Sequence, residues 1–139
     1  MATYADRAAI ENLFGKGNVR KWASLESTAS RAAIAARIVS VLAEAVDVVN
    51  GKLSSGPYGV PFEDLPDTHS VIQRLTARIA GVLLYEARGV EDEQTEDSNA
   101  SIKRHWQMAM DQIHEINKGG MRLVGLTPTY ESVPEVITE

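Results

Sequence analysis

The sequence predicts an all-α fold: a small bundle of about four helices, with a long Pro/Gly loop between the second and third and an extended C-terminal arm. Three observations lead there. Long segments repeat apolar residues at helical spacing and are bracketed by capping residues and glycines. Between two of them, Asn50 to Ser70 carries three prolines and three glycines, which a helix does not accommodate. After Gly120 apolar residues continue but the helical period is lost. At 139 residues the chain suits one domain. It divides into a helical part, residues 1–120, and an arm, residues 121–139.

The first helix is expected to start under Thr3, with Asp6 three residues later as capping partner. Ile10, Leu13 and Phe14 form its apolar side, and Gly15 suits the stop. Gly17 to Leu25 forms a further turn or two, capped by Asn18, with Val19 and Trp22 one helical step apart.

The second helix is placed from Ser27 to Asn50, with Gly51 just past its end. Its few polar residues, Arg37, Ser40, Glu44 and Asp47, follow a +3, +4, +3 spacing and make one narrow stripe. Nearly everything else is Ala, Val, Ile or Leu, and a helix apolar nearly all round is normally buried. With so few other helices to surround it, a neighbouring subunit is one source of cover, through Val41 and Val48. A central place in a monomeric bundle is the other.

The loop that follows is longer than the usual helix connection of about 2–8 residues. Pro57, Pro61 and Pro66 lower its entropy when free, and Tyr58, Val60 and Phe62 supply apolar anchors. A loop so built is suited to ordering against a neighbour's surface. The competing reading folds it back over its own bundle.

The third helix is expected from Asp67 or Thr68 to Arg88, with Gly89 as stop and Ile72, Leu75, Ile79, Val82 and Leu83 facing the core. Arg74, Arg78, Gly81, Tyr85 and Arg88 fall on one line. The basic members Arg74, Arg78 and Arg88 either face an acidic partner or form a solvated face, where ion pairs are worth about 0–1 kcal/mol each.

Next comes an acidic run, Glu91, Asp92, Glu93, Glu96 and Asp97, which repels itself and reads as a mobile linker. It lacks the central Gly and terminal Glu of a hand-type calcium loop. Asn99 then caps a fourth helix reaching Asn117, with Ile102, Trp106, Ala109, Ile113 and Ile116 on one side and Gly119 and Gly120 at its end. The arm holds Leu123, Val124, Leu126, Tyr130, Val133, Val136 and Ile137, too apolar for a solvating tail. Such a segment is either disordered or docked on a partner, and Pro128 and Pro134 favour an extended backbone for the docked form.

Composition narrows function. A formal charge of −5 disfavours non-specific nucleic-acid binding, which needs excess Lys and Arg. Without cysteine there are no disulfides, thiolate ligands or thiol nucleophiles. No apolar run is long enough to span a membrane, and "MATYADRAAIENLF" has no signal-type apolar region, so a soluble chain is expected. No phosphate-cradling Gly loop or nucleophile elbow occurs. Asp111 and His114 sit at the i, i+3 spacing of di-metal bundles, but such sites need a second acid–His pair and two further carboxylates. No cofactor, metal or enzyme activity is expected.

The order of parts resembles a known family. "YADRAAIENLFGKGNVRKWASL" resembles the opening helix and short following segment of the Mu-like head–tail connector (adaptor) proteins of tailed bacteriophages. "AEAVDVVNGKLSSGPYGVPF" resembles their helix ending in an Asp-Gly turn and a Tyr- and Pro-containing loop, with Asn50 in place of the usual acid. "VIQRLTARIAGVLLYEARG" and "HWQMAMDQIHEINKGGMRL" resemble the last two helices. The resemblance runs in order from Thr3 to about Leu123.

It implies a virion subunit of the neck, made in the host cytoplasm, that forms a ring, commonly twelvefold, joining portal to stopper or tail-completion protein. Genomic DNA would pass through without specific binding. Under it, Gly51 to Pro66 is expected to be an assembly loop touching the adjacent subunit or the next ring. Val41, Val48, Tyr58, Val60 and Phe62 are expected at the ring interface and the arm on the portal. The acidic run has two readings, a channel lining that keeps DNA from sticking or a passive solvated loop. The alternative is a small phage-encoded helical regulator, binding proteins as a monomer or dimer.

Overall fold

The computed structural model describes residues 4–24, 30–62, 70–87, 96–123 and 126. Five helices follow one another: α1 (Arg7–Phe14), α2 (Lys16–Ala23), α3 (Arg31–Leu53), α4 (Ser70–Ala87) and α5 (Glu96–Asn117). No strand occurs among the described residues, so the all-α expectation holds.

Gly15 separates α1 from α2. Its φ of +95° is a conformation that side chains with a Cβ rarely adopt. Its N–H closes α1 on Glu11 O at 2.8 Å, and its own carbonyl accepts from Val19 N at 3.0 Å to open α2. Two caps differ from expectation. Asp6 itself caps α1, its carboxylate accepting from Ala9 N at 3.0 Å, whereas Thr3 lies outside the described residues. Asn18 lies inside α2 and donates back to Phe14 O at 2.8 Å.

α3 also shifts. Ser30 caps it through Ala33 N at 3.1 Å, and the proposed start at Ser27 is outside the described residues. The helix does not stop at Gly51 but continues to Leu53, which is buried. Burying a leucine is worth roughly 1.5–3 kcal/mol, more than the roughly 1 kcal/mol a helical glycine costs. α5 begins at Glu96, three residues ahead of the proposed cap. Asn99 is therefore interior, and its Oδ1 accepts from the Tyr85 hydroxyl. Gly119, at φ +86°, turns the chain after α5, and both Gly120 N and Met121 N bond to Glu115 O.

α4 is the central helix and packs on each of the other four. Ile72, Leu75, Thr76, Ala77, Ile79, Ala80, Val82, Leu84 and Tyr85 are all buried. Of the two readings of the Ala-rich second helix, the central place in the bundle is thus corrected. α3 turns Ile34, Ile38, Val41, Ala45, Val49 and Leu53 inward, while Ala32, Ala35, Ala36, Val39 and Ala43 are exposed. Alanine offers little area to remove from water, so the Ile/Leu-rich helix takes the middle.

Candidate interaction site

The loop after α3 begins at Ser54 and is described through Phe62. It lies against the C-terminal end of α5. A Cβ on Gly56 would fall 3.1 Å from Asn117 Cα and closer still to that side chain, so glycine lets the backbones meet. Asn117 Nδ2 donates to Lys52 O at 2.8 Å across the same junction.

Two buried tyrosine hydroxyls pin the loop from opposite directions. Tyr4 OH donates to Asn50 Oδ1 at 2.7 Å and accepts from Phe62 N at 2.9 Å, with the two rings 5.6 Å apart. Tyr58 OH accepts from Leu123 N at 2.8 Å. One end of the bundle is therefore built from the N-terminus, the loop and the segment after α5. Gly59 and Pro61 are exposed there, Val60, Met121 and Leu126 are half-buried against the core, and the Val60–Pro61 peptide is cis.

This geometry revises several expected site residues. Tyr58 and Phe62 are buried in their own chain, so of the loop's three apolar anchors only Val60 reaches the surface. Val41 is 0% exposed and belongs to the private core, because it lies on the inward face of α3 with Ile38 and Ala45. Val48 is half-buried against the core. Leu123 is likewise 0% exposed; its backbone and side chain complete the bundle, so it is not free to dock on a portal. Leu126 packs on the core and its N–H bonds Leu123 O at 3.1 Å. Val124, Tyr130, Val133, Val136 and Ile137 lie outside the described residues.

The basic line on α4 is split. Arg74 is exposed, but Gly81 and Tyr85 are buried, and Tyr85 meets Trp22 edge-on at 5.2 Å. Burial pushes the Tyr85 phenol above its ordinary pKa. Arg88 is outside the described residues, as are Glu91, Asp92 and Glu93. Glu96 and Asp97 form the first turn of α5 rather than a linker. Asp111 and His114 are exposed, and Asp111 accepts from Gln107. Among the described residues no group of three or more His, Asp or Glu is placed to hold a metal, and no helix is long and apolar enough to cross a membrane.

Arg78 is half-buried, with Nη1 2.7 Å from His105 Nδ1. Since guanidinium only donates, Nδ1 accepts and the imidazole is neutral, its ring lying 4.4 Å from Phe14. Burial, then Arg78 and Arg104, hold the His105 pKa below its usual value. An unfolded chain then takes up this proton more readily than the folded one, so stability falls as pH drops below about 6.5 and levels off beneath the folded-state pKa. Melting temperature is expected to decline between pH 7.5 and pH 5 more steeply in the wild type than in His105→Gln. Parallel curves would contradict this.

Neither Tyr4 nor Asn50 was marked as a loop anchor by sequence reasoning. The only available signal was the position of each in the resembling motifs. A family model described as "Bacteriophage Mu, Gp36" matches residues 4–136. No curated protein and no solved structure matches the chain.

Proposed function

We propose, from the premise that this chain belongs to the bacteriophage Mu Gp36 family, that it is the subunit of a head–tail connector ring. As a member it is a bacteriophage structural or morphogenesis protein. The finer reading places it in the virion neck, joining portal to stopper or tail-completion protein around the DNA channel. One observation carries this reading: the tyrosine-pinned end of the bundle.

There, a loop and the segment after α5 are hydrogen-bonded to the Tyr4 and Tyr58 hydroxyls, yet Val60 and Leu126 remain part-exposed beside the open Gly59 and Pro61. A preorganised surface loses little entropy on docking, which is what a subunit joining a stiff assembly requires. The match reaches Val136, so the segment beyond Leu126 belongs to the same family pattern. The acidic balance of the chain suits a channel through which DNA slides without adhering.

The test is co-assembly with the portal protein of the same phage. The wild type is expected to bind portal and form rings seen by electron microscopy. Val60→Asp, at a position half-buried against the core, is first checked for wild-type helicity and melting, and with these retained its portal binding should fall at least tenfold. Normal binding by Val60→Asp would remove the loop from the docking surface, and failure of the wild type to bind portal at all would defeat the connector reading.

A further inference from the structure

We propose that the exposed face of α3 pairs with the same face of a second copy, antiparallel and two-fold, making the free subunit a dimer. The inference does not rest on the connector reading, because a two-fold contact closes on itself and generates no ring.

The face is apolar along its length. Exposed Ala32, Ala36, Val39 and Ala43 and half-buried Val46, which also packs on the core, follow one another at +4, +3, +4, +3, the spacing of a helix–helix seam. Val39 is 67% exposed, an unusual setting for a large aliphatic residue. The alanines around it let a second helix approach to the roughly 8–10 Å of ordinary helix packing. At 23 residues α3 is about 35 Å long, enough for several turns of contact.

Charge identifies the occupant. Beside the apolar seam runs the polar stripe Arg37, Ser40, Glu44 and Asp47, basic at its N-terminal end and acidic at its C-terminal end. Glu44 and Asp47 are exposed and make no ion pair among the described residues. Arg37 Nε is buried and has no hydrogen-bond partner among them. Such a stripe is complementary to itself in reverse. In a two-fold antiparallel pair the same flank of both helices comes together with its ends exchanged. Centring the pair between Val39 and Ala43 sets these two residues level across the axis, and Ala36 level with Val46. Arg37 of each copy then lies beside Glu44 of the other, twice per dimer. A parallel two-fold pair would instead carry the two stripes to opposite sides of the seam, where Arg37 and Glu44 do not meet.

Sedimentation of the intact chain tests this. The wild type should have the mass of two copies. Val39→Asp, at an exposed position with no role in the core, should be helical and monomeric. Arg37→Glu and Glu44→Arg should each be monomeric alone, because both contacts become repulsive. Mixed in equal amounts they should form a dimer. The acid introduced in the first variant then meets the base introduced in the second, and the second's native Arg37 meets the first's native Glu44. A wild type monomeric at all concentrations, single variants that still dimerise, or a mixture that fails to associate would each overturn the proposal. Species larger than two that disappear with Val39→Asp would make the contact head-to-tail and overturn its two-fold form.

Discussion

Leu123→Ala is expected to destabilise the protein by about 2–5 kcal/mol, the range for removing a fully buried leucine side chain. Ending the chain at Gly120 should cost more. It removes the same side chain and also the N–H that Tyr58 OH accepts at 2.8 Å, leaving a buried hydroxyl short of a partner at about 1–3 kcal/mol. Urea titration of the two variants measures both effects. The loop should suffer with the tail, because Tyr58 loses its anchor, so fluorescence near that end should change before the helical signal does. A truncated chain melting with the wild type would mean that the segment after α5 contributes nothing to the core. The expectation that everything after Gly120 is a dispensable arm is in any case too early by several residues, since packing continues to Leu126.

Gly81→Ala is the second substitution with a large expected effect, although by helix propensity alone it should stabilise α4 by roughly 1 kcal/mol. A Cβ at Gly81 would fall within 2.6 Å of three ring atoms of Phe14. That ring has nowhere to go, being held edge-on by Trp22 at 5.6 Å and faced by His105 at 4.4 Å. Overpacking of this kind costs typically about 1–3 kcal/mol or more, and here it forces α1 away from α4. Net destabilisation is expected, with a blunted near-ultraviolet signal from Trp22. Phe14→Leu in the same chain should recover part of the loss, because a smaller side chain vacates the space. Stability unchanged or increased by Gly81→Ala alone would show that Phe14 moves without resistance.

Much of the helical layout was legible in the residues. Gly15 and the Gly119–Gly120 pair stop helices where expected, and Ile102, Ala109, Ile113 and Ile116 form the buried side of α5. Ile72, Leu75, Ile79 and Val82 turn inward on α4 as their spacing predicts. Caps were read less well. Asp6, read as the partner of a Thr3 cap, is itself the cap of α1, and Ser30 caps α3, since several polar residues near a helix start compete for one local role.

The interaction end was the part least legible. Phe62 N reaches Tyr4 OH, and Leu123 N reaches Tyr58 OH, across 58 and 65 residues respectively. No spacing rule relates such distant positions. Without those bonds, Tyr58, Phe62 and Leu123 looked like apolar groups in need of an outside partner. Their own bundle supplies it.

Periodicity and punctuation along the chain determined that this protein is helical, where most helices lie and which face of each is apolar, because those properties depend on neighbours within a few positions. Which helix is surrounded was decided only in three dimensions. α3 read as the over-apolar helix, but the area removed from water is greater for α4, with its Ile and Leu residues, than for the alanines of α3. The tertiary structure therefore centres α4, buries Val41 and leaves Val39 in the open. Burial is a property of how elements meet, and a single helix does not contain it.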